Sequence, residues 1–167
     1  MEHTRPDVRI RALGAVGFTL ALAVWVGGSI LYTFVLTPAI FGGYSRDAAS
    51  AIVGAMMPGY FTTNLAASAV ALALLPLLWR SWTPRLRNLA LALLLVALAS
   101  QGWVRFGLYP EILAVKARVP SFESAPDSPE RIRFRKLHGM SMAVNLASLL
   151  EGAALLALVP LRRPEEF

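Results

Sequence analysis

His138, Ser141, Asn145 and Ser148 recur at three- and four-residue spacing inside an apolar stretch. That spacing puts them on one face of a helix, with Gly152 continuing the row. An imidazole, an amide and two hydroxyls so arranged can hydrogen-bond across a lipid-embedded seam, where small residues permit close approach. Otherwise they can line a path for a ligand or ion. Packing is the commoner use. Gln101 and Arg105, four apart, form a second same-face pair, and Asn64 falls at similar depth. Arg105 can snorkel to the interface or pair with Glu111, or it can hold a phosphate or carboxylate with Gln101 and His138 as supporting donors. Glu151 is the sharper anomaly, because its neighbours are uncharged from Gly139 to Leu150 and from Gly152 to Leu161. A carboxyl there is either neutral or bonded to a polar group on another helix, and structural pairing and proton coupling are equally open to it.

Several chemistries are excluded or disfavoured by composition. With no cysteine there is no disulfide, thiolate metal site, thioether-linked haem or cysteine nucleophile. A bis-histidine haem would need two histidines at matched depth, and His3 stands in the N-terminal tail. A Cu(I) site could draw on His138 with Met140 or Met142, or on Met56 and Met57. Methionines in apolar helices are far more often packing filler, so no metal and no cofactor is expected. The chain has no P-loop, no H-E-x-x-H and no G-x-S-x-G, and no catalytic residue is assigned. The net charge of +6 does not imply nucleic acid, since the lysines and arginines flank apolar segments where lipid headgroups lie.

The elements that must position these residues are membrane helices. From Ala12 to Tyr44 no side chain is charged, and about 20 apolar residues suffice to cross a bilayer. This run is too long for the core of a signal peptide and reads as a retained first span. Charged residues make up 16% of the chain, against about 25% in soluble domains, so one integral membrane domain spanning residues 1–167 is expected. Four spans follow, at about 12–41, 60–79, 85–108 and 137–160, with a loop over 119–129. Pro58 and Gly59 make Ala48 to Met57 a bent or interfacial lead-in to the second span. Pro84 opens the third, Pro110 kinks or ends it, and Ser128-Pro129 caps the fourth. The fold class is therefore all-α, a four-transmembrane-helix bundle whose third and fourth helices extend beyond the bilayer. Four spans put both termini on one side. The positive-inside rule barely separates the two sides: Arg5, Arg9, Arg11, Arg80, Arg85, Arg87, Arg162 and Arg163 stand on the terminal side, against Arg46, Lys116, Arg118, Arg131, Arg133, Arg135 and Lys136 on the other, and the shorter flanks favour cytoplasmic termini in a bacterial inner membrane.

Four short motifs occur in order: Trp25-Val-Gly-Gly28, Thr37-Pro38-Ala-Ile-Phe41, Ala51-Ile-Val-Gly54 leading to Pro58-Gly-Tyr60-Phe61, and Phe134-Arg-Lys-Leu-His138-Gly-Met-Ser141. Together they resemble the four-helix family of transmembrane protein 205 and the bacterial domain of unknown function 4149. The resemblance covers about residues 12 to 160. It implies four spans and an uncharacterised role, with links to drug or metal resistance and a distant likeness to copper-resistance membrane proteins, and it supplies no catalytic residues. Trp25, Gly28 and Tyr32 share one face of the first helix, either as a close-packed seam or as a cavity wall. The leading expectation is a non-enzymatic membrane protein that binds or moves a small hydrophobic or metal-linked solute through Asn64, Gln101, Arg105, His138, Ser141 and Asn145. The alternative is an accessory subunit whose polar seam only assembles helices, a homo-oligomer or a larger membrane complex. Membrane lipids are the expected partners, with a small hydrophobic ligand besides them and no nucleic acid.

Overall fold

Hydroxyl side chains and prolines set where the helices begin. Ser45, Thr83 and Ser128 each accept a hydrogen bond from a backbone N–H three residues on, at 3.3, 3.4 and 3.2 Å. Pro84 and Pro129 follow two of these caps in the first turn, where the missing N–H costs nothing. The computed structural model describes residues 5–124 and 127–161, with side chains from residue 8 onward. Four helices result: α1 (Val8–Gly43), α2 (Arg46–Leu78), α3 (Pro84–Lys116) and α4 (Pro129–Leu161). No strand occurs among the described residues. His3, Ala125, Pro126, Arg162 and Arg163 lie outside the described residues, as does the side chain of Arg5.

Each helix is long and apolar enough to cross a membrane, and the chain is a multi-pass membrane protein. At 1.5 Å per residue the helices run to about 50 Å, well beyond the roughly 30 Å of a hydrocarbon core, so α1 and α2 overrun that thickness as well as α3 and α4. They form an up-down ring in which each packs against its two neighbours, α1 on α2, α2 on α3, α3 on α4 and α4 back on α1.

Three helices pass through an internal proline without stopping. In α1 and α3 the solution is a widened turn. Leu31–Leu36 and Val104–Leu108 are π-helical, and the N–H groups of Thr37 and Tyr109 reach back five residues to the carbonyls of Tyr32 and Val104. Pro38 and Pro110 follow directly. A proline ring collides with the carbonyl four residues back in a regular α-helix, and a π segment just before it relieves that crowding. The helix at Pro58, by contrast, is α-helical from Arg46 to Leu74. Ala48 to Met57, expected as a bent or interfacial lead-in, therefore belongs to the same helix as the residues after it.

Along its axis the bundle has three layers. The half nearest the described chain ends is apolar, with Phe18, Leu22, Trp25, Leu75, Leu94 and Leu155 inside it. Small residues let the backbones close there. A Cβ on Gly14 would lie 2.7 Å from Leu77, and one on Gly152 would lie 2.8 Å from Val26 and 3.3 Å from the Trp25 indole. The far half carries Phe61, Val104, Leu108, Tyr109, Ile112, Val115 and Leu137 between α2, α3 and α4. Ser29, Asn64, Ser68, Gln101 and Ser148 are buried between the two halves.

Two glycines on the α1–α4 face therefore behave oppositely. Gly152→Val forces a methyl pair into Val26 and Trp25 and is expected to lower stability by about 1–3 kcal/mol. Gly28, with nothing within 4 Å of a built Cβ, accepts alanine with a gain of up to about 1 kcal/mol. Thermal unfolding of the two variants in detergent checks both signs.

Candidate functional site

The middle layer is a set of completed hydrogen bonds. The Gln101 amide donates to Ser148 at 2.9 Å and accepts from Ser68 at 3.3 Å, tying α3 to α4 and α2. Asn64 donates to Ser29 at 3.0 Å. The Tyr60 hydroxyl lies 3.2 Å from Ser29 and donates to Asn145 Oδ1, whose own amide N–H donates to Thr33 at 3.2 Å. Five side chains from α1, α2 and α4 are thereby joined. A void of about 20 Å³ remains there, lined by the polar Asn64, Gln101, Ser141, Asn145 and Ser148 and by the apolar Phe61, Val104 and Val144, large enough for one water.

Beyond this layer the helices stand apart around a cavity of about 320 Å³. Its floor and walls are aromatic. Tyr32 stacks on Tyr60 with centroids 4.3 Å apart, and Phe61 meets Tyr60 at 5.5 Å and Tyr109 at 5.3 Å. These rings are anchored on the backbone of α2. Pro58 has no N–H, so the carbonyl of Gly54, four residues earlier, loses its helical donor; the Tyr109 hydroxyl supplies one at 3.3 Å. The Tyr32 hydroxyl donates to Val53 O at 3.0 Å, and Lys116 Nζ donates to Ser50 O at 2.6 Å. Gly54 makes room for that ammonium, since a Cβ there would lie 2.6 Å from Nζ. Three carbonyls on one side of α2 thus hold one residue from α1, Tyr32, and two from α3, Tyr109 and Lys116.

The loop after α3 closes the outer end. Asp47, in the first turn of α2, accepts from the Ser121 hydroxyl at 2.8 Å and from the Phe122 N–H. Phe122 is held over the cavity, edge-on to Phe134 at 5.0 Å, with the Arg131 guanidinium 5.0 Å above its ring and 3.4 Å from Ser121 O. Phe134 in turn stacks on His138 at 5.4 Å. One side stays open. Residues Arg5–Ile30 of α1 pack on α4, whereas Thr37–Gly43 packs on α2. The Thr33–Asn145 hydrogen bond is the last described link between α1 and α4 before the gap.

The residues singled out in the sequence separate into several places. His138, Ser141 and Asn145 line the cavity, and Asn64 and Gln101 lie in the hydrogen-bonded layer beneath it. Arg105 joins neither group: its Nε donates to exposed Thr62 at 3.4 Å and its guanidinium lies 5.5 Å from the Phe106 ring. Glu111 pairs with Arg133 at 2.7 Å and not with Arg105. The α1 face splits as well. Trp25 is fully buried against Gly152, Tyr32 forms cavity wall, and Gly28 makes no close approach. Glu151 sits one residue before the Trp25 contact, with Oε2 buried and without a partner; Trp25 Nε1 is likewise unpartnered. Sequence reasoning passed over Tyr60, Tyr109, Lys116, Phe122 and Asp47. Pro58 was the available signal for Tyr109, because a proline inside a membrane helix demands a substitute donor from a neighbour.

If the Tyr109 hydroxyl replaces the donor that Pro58 lacks, the two positions are coupled. Tyr109→Phe should cost about 1 kcal/mol in the native background. It should cost far less beside Pro58→Ala, whose restored N–H serves Gly54 O. A double-mutant cycle by thermal unfolding measures the coupling, and additive effects would refute it.

No curated protein and no solved structure matches the chain. A family model does match, over residues 20–120, which run from the Trp25 seam through Pro58 to the end of α3 at Lys116. By that match, covering more than half of the sequence, the chain belongs to the family described as Domain of unknown function (DUF4149).

Proposed function

We propose that this protein is a non-enzymatic membrane protein that binds a small hydrophobic solute in the cavity between its four helices. The cavity itself is the observation that carries the reading. About 320 Å³ of space walled by Tyr32, Tyr60, Phe61, Tyr109 and Phe134 is at the lower end of ligand pockets, which measure about 300–1,000 Å³. Its polar groups are few and fixed, as in sites that orient an apolar ligand. Tyr32, His138, Ser141 and Asn145, all singled out in the sequence, face it.

A second role is favoured by a separate observation. Gln101, Ser68 and Ser148 satisfy one another, and Asn64 is spent on Ser29. These side chains act as assembly contacts that fix which helix faces which, and the solute is left to the aromatic chamber above them.

A neutral fluorescent hydrophobe, N-phenyl-1-naphthylamine, tests the reading with the full chain in phosphatidylcholine nanodiscs. Saturable binding above empty discs is expected. It should be lost in Ser50→Trp and in Ser141→Phe, which fill the cavity from two helices, and kept in Gln101→Leu, which should instead lower the unfolding temperature. No saturable binding, or binding unchanged in both filled variants, would overturn it.

A further inference from the structure

The charges around the cavity are one-sided. Arg46 from the start of α2, Lys116 from the end of α3 and Arg131 from the first turns of α4 all line it, together with His138, and no aspartate or glutamate is among the lining residues. The described ion pair of the structure, Arg133 with Glu111, is formed by residues outside the lining set. The carboxylate closest in sequence to the mouth, Asp47, is engaged by Ser121 and the Phe122 N–H and offsets part of the Arg131 charge from outside the lining. Three cations from three helices therefore converge on one chamber with no carboxylate lining it. Grouping like charges is unfavourable in the empty protein, and an anion in the chamber relieves it.

Two of the three cations are preorganised. Lys116 Nζ is seated on the bare backbone of Gly54 and tethered by one hydrogen bond to Ser50 O. An ammonium has three N–H donors, and the described residues engage one of Lys116's. Arg131 is fixed by Ser121 O and the Phe122 ring, while its guanidinium has five donors. Arg46 is exposed at the mouth. The heads of Lys116 and Arg131 are thus presented to the chamber by their tethers.

A small mineral anion does not fit the remaining wall. Phe41, Met57, Phe61, Ile112, Leu113 and Met142 are apolar and line the same space, so most of a bound molecule must be apolar. The gap between α1 and α4 gives that apolar part an exit. Phe41 on α1 and Met142 on α4 are exposed at 45% and 58%, so the rim of the gap is itself lipid-like. The volume of about 320 Å³ is at the small end for ligand pockets, which measure about 300–1,000 Å³, and suits a head with part of one chain better than two chains.

We propose that the cavity takes a single-chain amphiphile with an oxyanion head, a carboxylate or a phosphate, held by Lys116, Arg131 and Arg46, with its alkyl chain lying on the aromatic wall and leaving through the α1–α4 gap. This rests on the cavity being a solute site and names the class of solute. The head offsets the excess positive charge of the lining, and the chain stays continuous with the lipid.

Binding of dodecanoate, dodecyl phosphate and dodecanol to the full chain in phosphatidylcholine nanodiscs, corrected for empty discs at pH 8, tests the class. One or both oxyanions should bind saturably and at least about tenfold more tightly than the alcohol, as expected for a charge-assisted contact. The tighter of the two heads identifies whether the source is a fatty acid or a phosphorylated lipid. Arg46→Gln, at an exposed helix start, and Lys116→Gln should each weaken the oxyanion by about tenfold and leave dodecanol unchanged, with Lys116→Arg retaining affinity. Acetate and inorganic phosphate should fail to compete. Equal binding of dodecanol and the oxyanions, insensitivity to both charge variants, or displacement by inorganic phosphate alone would overturn the assignment while saturable naphthylamine binding left the hydrophobic site standing. If neither the alkyl compounds nor the naphthylamine bind, both readings fall.

Discussion

A carbonyl without a donor is tolerable in water and expensive in hydrocarbon, where nothing else can serve it. Pro58 creates such a carbonyl at Gly54, and the cavity half of the bundle is arranged around it. Tyr109 must reach from α3 to α2 to donate to Gly54 O, and the same side of α2 offers Val53 O to Tyr32 and Ser50 O to Lys116. Aromatic and long cationic side chains are required at this level to span the gaps. Helices held apart by tyrosines cannot close into the tight glycine contacts of the other half. The chamber follows from backbone hydrogen bonding in lipid as much as from any demand of a ligand.

The opposite half shows what the bundle does without that constraint. Ala71, Ala90 and Ala97 are fully buried there, and Gly14 and Gly152 admit neighbours closer than a side chain would allow. Between the halves, the Gln101 and Asn145 networks connect all four helices. Interhelical hydrogen bonds in membranes average only about 0.6 kcal/mol, so these networks add little to stability. Their value is in specificity, because a rotated or slipped helix would leave an amide unpaired in an apolar medium.

Much of this was legible in the residues. The helix caps at Thr83 and Ser128 follow from hydroxyl-proline pairs, and the burial of Asn64, Gln101 and Ser148 follows from their being polar at membrane depth. Arg105 reads in sequence either as a snorkelling cation or as a member of the polar cluster, and the structure holds it on exposed Thr62, outside that cluster. Pro58 reads in sequence as bending the helix; a proline's effect depends on what its neighbours donate, and Tyr109 lies far away along the chain. The cationic lining was hidden for a similar reason: Arg46, Lys116 and Arg131 each flank an apolar run and read as headgroup contacts, and only the ring of helices brings them to one chamber.

The same local physics decides where the chamber opens. The Arg5–Ile30 part of α1 packs on α4, the π segment Leu31–Leu36 still reaches it through Thr33 and Asn145, and Thr37–Gly43 packs on α2. The π segment exists because Pro38 cannot follow a regular α turn without a clash. The Thr37 hydroxyl, donating to Tyr32 O at 2.8 Å, and the Thr37 N–H, reaching the same carbonyl, hold the wide turn in place. Both devices lie within α1 and need neither α4 nor a bound molecule. The widened turn is therefore a property of the first helix itself, set by its own proline and threonine.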